Sequence, residues 1–578
     1  MFKLLKQISI NTNFKKKLLI NNGFMNINGI KYYCTSNKQQ DDKKKVLITT
    51  PIFYVNGPPH IGHLYTALLG DALGRWNRFI GNDTLFMTGT DEHGIKVEEA
   101  AKKNGLKTID YCDKISNRFR ELFDKADIKY DDFIRTTEPR HREAVTTMWN
   151  RLLERGYIYK GVYKGWYCTS DESFLTDDQV TEGMSPITPQ NPISKKCMVS
   201  LESGHEVNWI EEENYMFKLS EFSSTIENWF EEVKPIFPTI HVNLLRHMLS
   251  QGVKDLSISR PSSRISWGIP VPNDSTQTIY VWLDALTNYL TVTGYPKVSP
   301  TSPQSYWSNT THIIGKDIIK FHSIYWPSFL KAADYPLPKS IICHAHWTVN
   351  REKMSKSRGN VVDPFTEIDN HGLELIRYFL LKGGGLENDG DWSEHELAVR
   401  FKADLADTYG NLISRCTGKS LNPSGEWPKS VVDHSLLKLE DQNLIDHSSR
   451  LVKSVSSHYD RGDFKSGIFE IMTFLYECNL YIQSQAPWTL VPKPNRVGSD
   501  LIRLNTIIYV AIEMIRISSL LLLPIIPSSA TLTLNHLSIP LEKRLNPSNF
   551  NFGYDYHHTN SLNSKIPNET LILFHKKL

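Results

Sequence analysis

Residues 46–50 form a short run of apolar and β-branched side chains, the pattern of a buried strand. A stretch rich in Pro, Gly and Asn follows over 51–59 and reads as a loop. From His60 the apolar period changes. Leu64, Ala67, Leu68, Ala72, Leu73 and Trp76 recur near every 3.6 residues and predict a helix. A second strand is expected near 84–88, ending in Gly89-Thr90-Asp91-Glu92-His93-Gly94. Strand, loop, helix, strand is the opening of a doubly wound α/β sheet, whose ligands lie beyond the carboxyl ends of the strands. His60 and Asp91 then share that rim. The rhythm is lost over 145–255, which is turn-rich, carries Glu211-Glu212-Glu213 and reads as an insertion. Strand signals return at 278–283, 312–315 and 340–346. Beyond about residue 395, helical periodicity covers 397–425, 434–460, 464–485 and 498–523. The most apolar segment, 507–526, is interrupted by Glu513, Arg516 and Pro524, so it predicts a buried helix ending at the proline rather than a membrane span. No repeat of fixed period is present, and the last 30 residues are polar and irregular.

A chain of 578 residues exceeds one ordinary core, and three or so domains are expected. With 40% hydrophobic and 22% charged residues it has the mix of a soluble globular protein. Its net charge of +3 confines any nucleic-acid surface to a local patch. Seven scattered cysteines, an odd number, argue for a reducing compartment rather than a disulfide framework. The first 40 residues differ from the rest: they hold seven lysines and no acid, with short apolar clusters between. Removing those seven charges leaves the remainder at −4. A basic, acid-free, amphipathic N-terminus suits a mitochondrial transit peptide, although lysine stands where arginine is usual. The plainer alternative is a basic arm that touches RNA.

Two short segments carry candidate chemistry. His60 and His63 in His60-Ile61-Gly62-His63 share a face of the first helical turn. A helix start offers N–H groups and positive dipole to an anion, and two imidazoles there can hold phosphate oxygens. Gly62 leaves room for a flat base against the backbone. Alone, the pair also reads as two surface histidines. Far downstream, Lys353-Met354-Ser355-Lys356-Ser357 lies in a polar stretch read as a mobile loop. Two ammonium groups on such a loop can close over a departing pyrophosphate; charge alone equally allows a solvated basic loop. Together they supply what an in-line attack on the α-phosphate of ATP needs.

With its neighbours, the chain resembles the class I aminoacyl-tRNA synthetases, specifically methionyl-tRNA synthetases of the bacterial and mitochondrial kind. The likeness runs from about 46 to 545 and rests on six segments in order. These are Pro51-Ile-Phe-Tyr-Val-Asn-Gly-Pro-Pro-His-Ile-Gly-His, Gly89-Thr-Asp-Glu-His-Gly, Trp267-Gly-Ile-Pro-Val-Pro, Tyr280-Val-Trp-Leu-Asp-Ala, Gly315-Lys-Asp-Ile-Ile-Lys-Phe-His and Lys353-Met-Ser-Lys-Ser. The resemblance implies a Rossmann-like parallel catalytic domain, split by an inserted connective domain and followed by an α-helical anticodon-binding bundle. The boundaries expected are 1–40 for the transit peptide, 41–145 and 261–365 for the catalytic halves and 146–260 for the insertion. A stem-contact linker at 366–395, the bundle at 396–545 and a tail at 546–578 complete the chain.

The resemblance also implies roles. His60 and His63 steady the reacting phosphate, Lys353 and Lys356 neutralise pyrophosphate, and Gly62 and Ser355 join them in holding ATP, which enters with Mg²⁺. Asp91 is similar to the carboxylate that holds the methionine amino group. Ile52, Tyr54, Trp282, Ala285, Tyr289, His322 and Trp326 match positions around its side chain. Sulfur packs well against ring edges, and His322 or Tyr54 is expected to offer a hydrogen bond that an aliphatic competitor cannot use. Without the likeness these aromatics read as core. Asn411, Arg415 and Trp488 match positions that meet the CAU anticodon, where single-stranded bases stack on Trp and bond to Arg and Asn; otherwise they read as bundle surface. Relatives carry a zinc knuckle in the insertion, but Cys168-Thr-Ser-Asp171 and Cys197-Met-Val-Ser200 keep one cysteine each. Even with Asp171 and His205, no structural zinc is expected. The implied partners are methionine, ATP and tRNA(Met), in the mitochondrial matrix, with a monomer and no membrane attachment expected. Leucine, isoleucine and valine enzymes would need a large editing insertion, and a cysteine enzyme a metal-binding pocket cysteine.

Overall fold

Lys45–Tyr54 forms β1 in a computed structural model of the chain. The structure describes residues 26–27, 30–31, 43–168, 173–175, 177–184, 195–201, 203–354, 359–423, 425–428, 437–491, 499–545, 547–553, 566 and 571–574. Two units separate, Met1–Lys44 and Lys45–Leu578. In the first, Asn26–Ile27 pairs antiparallel with Ile30–Lys31. The rest of the expected transit peptide lies outside the described residues.

β1 runs further than the expected strand at 46–50. Pro51 cannot donate to a ladder, and the register shifts between Thr49 and Ile52 to let it pass. Pairing resumes with Ile52 opposite Gly89 and Tyr54 opposite Asp91. The proline therefore marks a bulge and not the end of the strand. Helix α1 is Ile61–Phe79, β2 is Asp83–Asp91 and β3 is Asp132–Arg135. A Cβ on Gly89 would lie 2.0 Å from the Ile134 carbonyl oxygen, so only glycine lets β2 and β3 approach here.

The inserted region holds β4, Ile158–Cys168, and β5, Asn208–Phe217, paired antiparallel from Ile158 opposite Phe217 to Tyr167 opposite Asn208. The expected insertion, 146–260, is not wholly separate. Its short strand β6, Ile236–Phe237, returns to the main sheet. Two residues are too few to show a period, so no sequence pattern announces it.

Next come α2, Val281–Thr291, β7, Thr310–Gly315, and β8, Ser340–His344. The expected strand at 278–283 ends at Ile279, and Val281 already starts a helix. Every side chain of α2 is buried or half-buried, polar Asp284, Thr287 and Asn288 included, so no exposed polar stripe marks its helical period. The main sheet has the order β6-β8-β7-β1-β2-β3, and all its pairs are parallel. Connections leave β1 toward both edges, which makes the rim beside β1 the switch point where ligands bind.

The C-terminal third is helical: α3 Leu373–Gly383, α4 Asn411–Thr417, α5 Leu439–Asp460, α6 Phe464–Gln485, α7 Ser499–Leu522 and α8 Pro527–His536. Leu501–Leu522 is long and apolar enough to cross a membrane, yet 94% of its most apolar window is buried in the fold. Its charges are satisfied inside, with Arg516 Nε donating to Glu513 at 2.9 Å. The sheet and bundle lock together at Arg377 of α3, which is fully buried. Its guanidinium meets Asp71 of α1 at 2.7 Å and the carbonyls of Pro524 and Ile525 at 3.1 and 3.0 Å.

Candidate active site

His60 stands in extended backbone at the N-cap of α1. Its Nδ1 accepts from the Gly62 N–H at 3.1 Å, while His63 Nδ1 accepts from the His60 N–H at 3.2 Å. Because backbone N–H groups donate to both Nδ1 atoms, each neutral ring carries its proton on Nε2. The two rings stack at 3.7 Å. This revises the expectation of open helix-start amides. The Gly62 N–H is taken by His60, and the Ile61 N–H donates to the Val362 carbonyl at 3.2 Å. The space over Gly62 is also used by the chain itself: a Cβ there would sit 3.0 Å from the His60 ring. The donors this helix presents are therefore imidazoles rather than backbone.

The Ile61–Val362 bond ties the histidine turn to the chain just past the lysine loop. A second tie runs from Thr66 Oγ1 to His344 Nε2 at 2.9 Å, joining α1 to β8. Lys353 lies in a two-residue strand beside Trp347–Val349, with its Nζ 3.5 Å from Asp317 Oδ2. Asp317 also meets His346 Nε2 at 3.2 Å. Burial pushes the Asp317 carboxyl up, but His346 and Lys353 outweigh it and hold it at about 2. Ser355 and Lys356 lie outside the described residues.

Seven of the eight positions matched to methionine line one cavity of about 280 Å³ at the switch point. They are Ile52, Tyr54, Asp91, Trp282, Ala285, Tyr289 and His322. Trp326 does not line it; it is fully buried, with its ring 6.1 Å from Tyr289. Trp282 stacks on Phe321 at 3.6 Å. His322 Nδ1 donates to the Ile318 carbonyl at 3.0 Å, so Nε2 accepts from the Tyr289 hydroxyl at 2.7 Å. Burial pulls His322 down to about 4, so the ring is neutral. Both nitrogens are committed, and His322 has no donor left for a sulfur. This corrects the expected hydrogen bond from that residue. A wider cleft of about 1140 Å³ between α3 and α6 contains none of the predicted residues.

In the bundle, Asn411 opens α4 and is exposed. The Arg415 guanidinium lies 5.8 Å from the Trp488 ring. Trp488 follows Ala486, which ends α6 with φ +43° and turns the chain sharply. In the insertion, Cys168 is buried at the end of β4, and Cys197 lies on a separate two-stranded ladder. Asp171 falls outside the described residues, and no cluster of three or more metal-ligating side chains occurs among the described ones.

The sequence pattern of the family described as tRNA synthetases class I (M) matches residues 46–417. A probable mitochondrial methionine–tRNA ligase of Dictyostelium discoideum is 87% identical over 577 residues, covering 100% of both chains. The human mitochondrial methionine–tRNA ligase is 43% identical over 534 residues, covering 89% of this chain and 88% of its own. Among solved structures, the Mycobacterium tuberculosis methionyl-tRNA synthetase in complex with methionyl-adenylate superposes with a TM-score of 0.79. It is 35% identical and covers 87% of this chain and 95% of its own. The chain belongs to the class I methionyl-tRNA synthetases. It is accordingly an ATP-dependent methionine–tRNA ligase.

Sequence reasoning left several residues of this synthetase without a role. Lys96 and Asn288 line the cavity, and Asp317 faces Lys353. Lys96 is legible in retrospect, two residues past Gly94 on the same rim. Asp317 lies inside a quoted segment, but only the fold shows that it faces the lysine loop.

Proposed function

We propose that this synthetase runs both half-reactions at the β1 rim, using the residues just described. The methionine carboxylate attacks the α-phosphorus of ATP, a P–O bond forms, and pyrophosphate leaves. ATP enters as its Mg²⁺ complex. The Nε2–H groups of His60 and His63 donate to phosphate oxygens as charge builds on them, and Lys353 and Lys356 neutralise the pyrophosphate. Asp91 holds the ammonium of methionine, and its side chain lies among Tyr54, Trp282 and Tyr289. The 2′-hydroxyl of the terminal adenosine of tRNA(Met) then attacks the adenylate carbonyl and AMP leaves. No side chain need act as a nucleophile; positioning and electrostatics carry the rate. Since His322 is spent on Ile318 and Tyr289, selectivity for sulfur comes from ring packing rather than from a histidine donor. Asn411, Arg415 and Trp488 read the anticodon.

The observation that supports this most is the single cavity holding Asp91 and six other matched positions, beside a histidine turn bonded to the end of the lysine loop. ATP–pyrophosphate exchange tests it: methionine alone among the amino acids should support exchange. Lys356→Ala should cut adenylate formation about 10²-fold while tRNA affinity stays nearly unchanged. A matching loss of tRNA binding would contradict the assignment. The mitochondrial relatives and the basic N-terminus favour work in the mitochondrial matrix, which sequencing the mature N-terminus reads directly; the proposal includes a monomer free of membranes, which sedimentation tests.

A further inference from the structure

The walls of the cavity come from distant parts of the chain. One is the rim after β2, with Asp91 and Lys96; the other is α2, with Trp282, Ala285 and Tyr289. His93 lies between the two rim residues, and Asp284 lies among the three on α2. Neither lines the cavity. They are bonded to each other, His93 Nδ1 to Asp284 Oδ2 at 2.7 Å, and both are buried. The second oxygen, Asp284 Oδ1, meets His141 Nε2 at 2.8 Å, and His141 Nδ1 meets Thr291 Oγ1 at 3.0 Å. One side of α2 is thus held in its first turn and at its last residue.

Trp267 fixes His93 from another side. Its indole N–H donates to the Glu92 carbonyl at 2.6 Å, its own carbonyl accepts from the Gly94 N–H at 3.1 Å, and its ring lies edge-on to His93. The backbone on both sides of His93 is therefore anchored. Burial raises the Asp284 carboxyl, but the two histidines outweigh it and hold it at about 2. A buried charge set of this kind is a costly way to join two elements that apolar contacts could join. What it adds is a fixed length and direction between them.

We propose that His93 and Asp284 are positioning residues that set the gap between the Asp91 rim and α2, and thereby the fit of the cavity to methionine. This rests on the methionine assignment above. The test is pyrophosphate exchange by the full chain, with methionine and ATP titrated separately. His93→Phe keeps a ring and loses the donor. It should raise the methionine KM about tenfold or more while the ATP KM moves less than about twofold. His93→Asn places an amide N–H near the Nδ1 position and should restore the methionine KM to within about threefold. Equal changes in both KM values, no change in either, or no rescue by asparagine would overturn the proposal. Should His93→Phe not fold, Asp284→Asn, His93→Ala and their double variant close a cycle in which each single change removes the bond. Effects on methionine KM should be strongly non-additive, and additive effects overturn the proposal. If the unaltered chain shows no methionine-dependent exchange, the cavity reading fails and takes this proposal with it. If it does exchange and the variants match it, only the proposal fails.

Discussion

At the residue scale, His60 has two separable duties. Its Nδ1 caps α1 by accepting from Gly62, and its Nε2–H is the donor assigned to phosphate. Asparagine is a good N-cap, and its side-chain oxygen can accept the Gly62 N–H, but nothing in asparagine replaces Nε2. His60→Asn should therefore melt near the unaltered chain and lose about 10²–10³ in kcat for pyrophosphate exchange. Differential scanning calorimetry beside the exchange assay separates the two. A large fall in melting temperature with a matching fall in activity would mean that capping was the only duty. The same logic shows what sequence cannot reveal. That His60 and His63 pair on a helix start is legible from their spacing. Which nitrogen bears the proton depends on backbone amides that only the folded turn brings within 3.2 Å. The proton on His322 is set in the same way, by Ile318 and by a tyrosine 33 residues away.

At the element scale, legibility followed burial and length. β1, β2, β7 and β8 declare themselves because strands covered on both faces are short apolar runs. The long bundle helices declare themselves by period. α2 does not, because a helix with almost no exposed face looks like a strand, and β6 is too short to look like anything. The joint between sheet and bundle was also silent, since it is made by isolated side chains such as Arg377 and Trp76, whose indole N–H donates to Asp460 at 2.8 Å. Arg377 contacts Asp71 on the helix that carries the histidine pair and the carbonyls just past α7. Asp71 keeps Arg75 at 2.7 Å and the Lys129 N–H at 2.8 Å if Arg377 is removed, but the carbonyls lose their donor. Arg377→Met should thus cost about 3–5 kcal/mol in urea unfolding, from the buried carbonyls of Ala126, Pro524 and Ile525 left without a donor. A change below about 1 kcal/mol, the size expected of a surface pair, would show that the joint is carried by its other contacts, the Trp76–Asp460 bond and apolar packing.

At the scale of the whole molecule, the histidines predict how stability responds to acid. Burial holds His322 and His344 near 4, and places His312 well below its ordinary value, with the neighbouring His322 pushing the same way. His241 and His536 are lowered in the same direction, mainly by burial. In the unfolded chain each returns to about 6.5. Between roughly 6.5 and 4 the unfolded chain therefore binds protons that the folded chain refuses, and linkage makes stability fall as pH falls. For His322 and His344 the contribution is complete above about 6.5 and is lost on acidification through that window, at up to about 1.4 kcal/mol per pH unit each. Asp284 and Asp317, both held at about 2, act in a lower window: their contribution is present above the unfolded carboxylate range and lost only as pH approaches 2. Urea midpoints should accordingly drop steadily from pH 7 to pH 5, above the range in which Asp284 and Asp317 titrate. His344→Gln, which keeps an acceptor for Thr66, should remove one histidine's share of that slope. A flat profile between pH 7 and 5 would show that these rings take up protons without leaving the fold, and the neutral His322 on which the sulfur-packing argument stands would go with it.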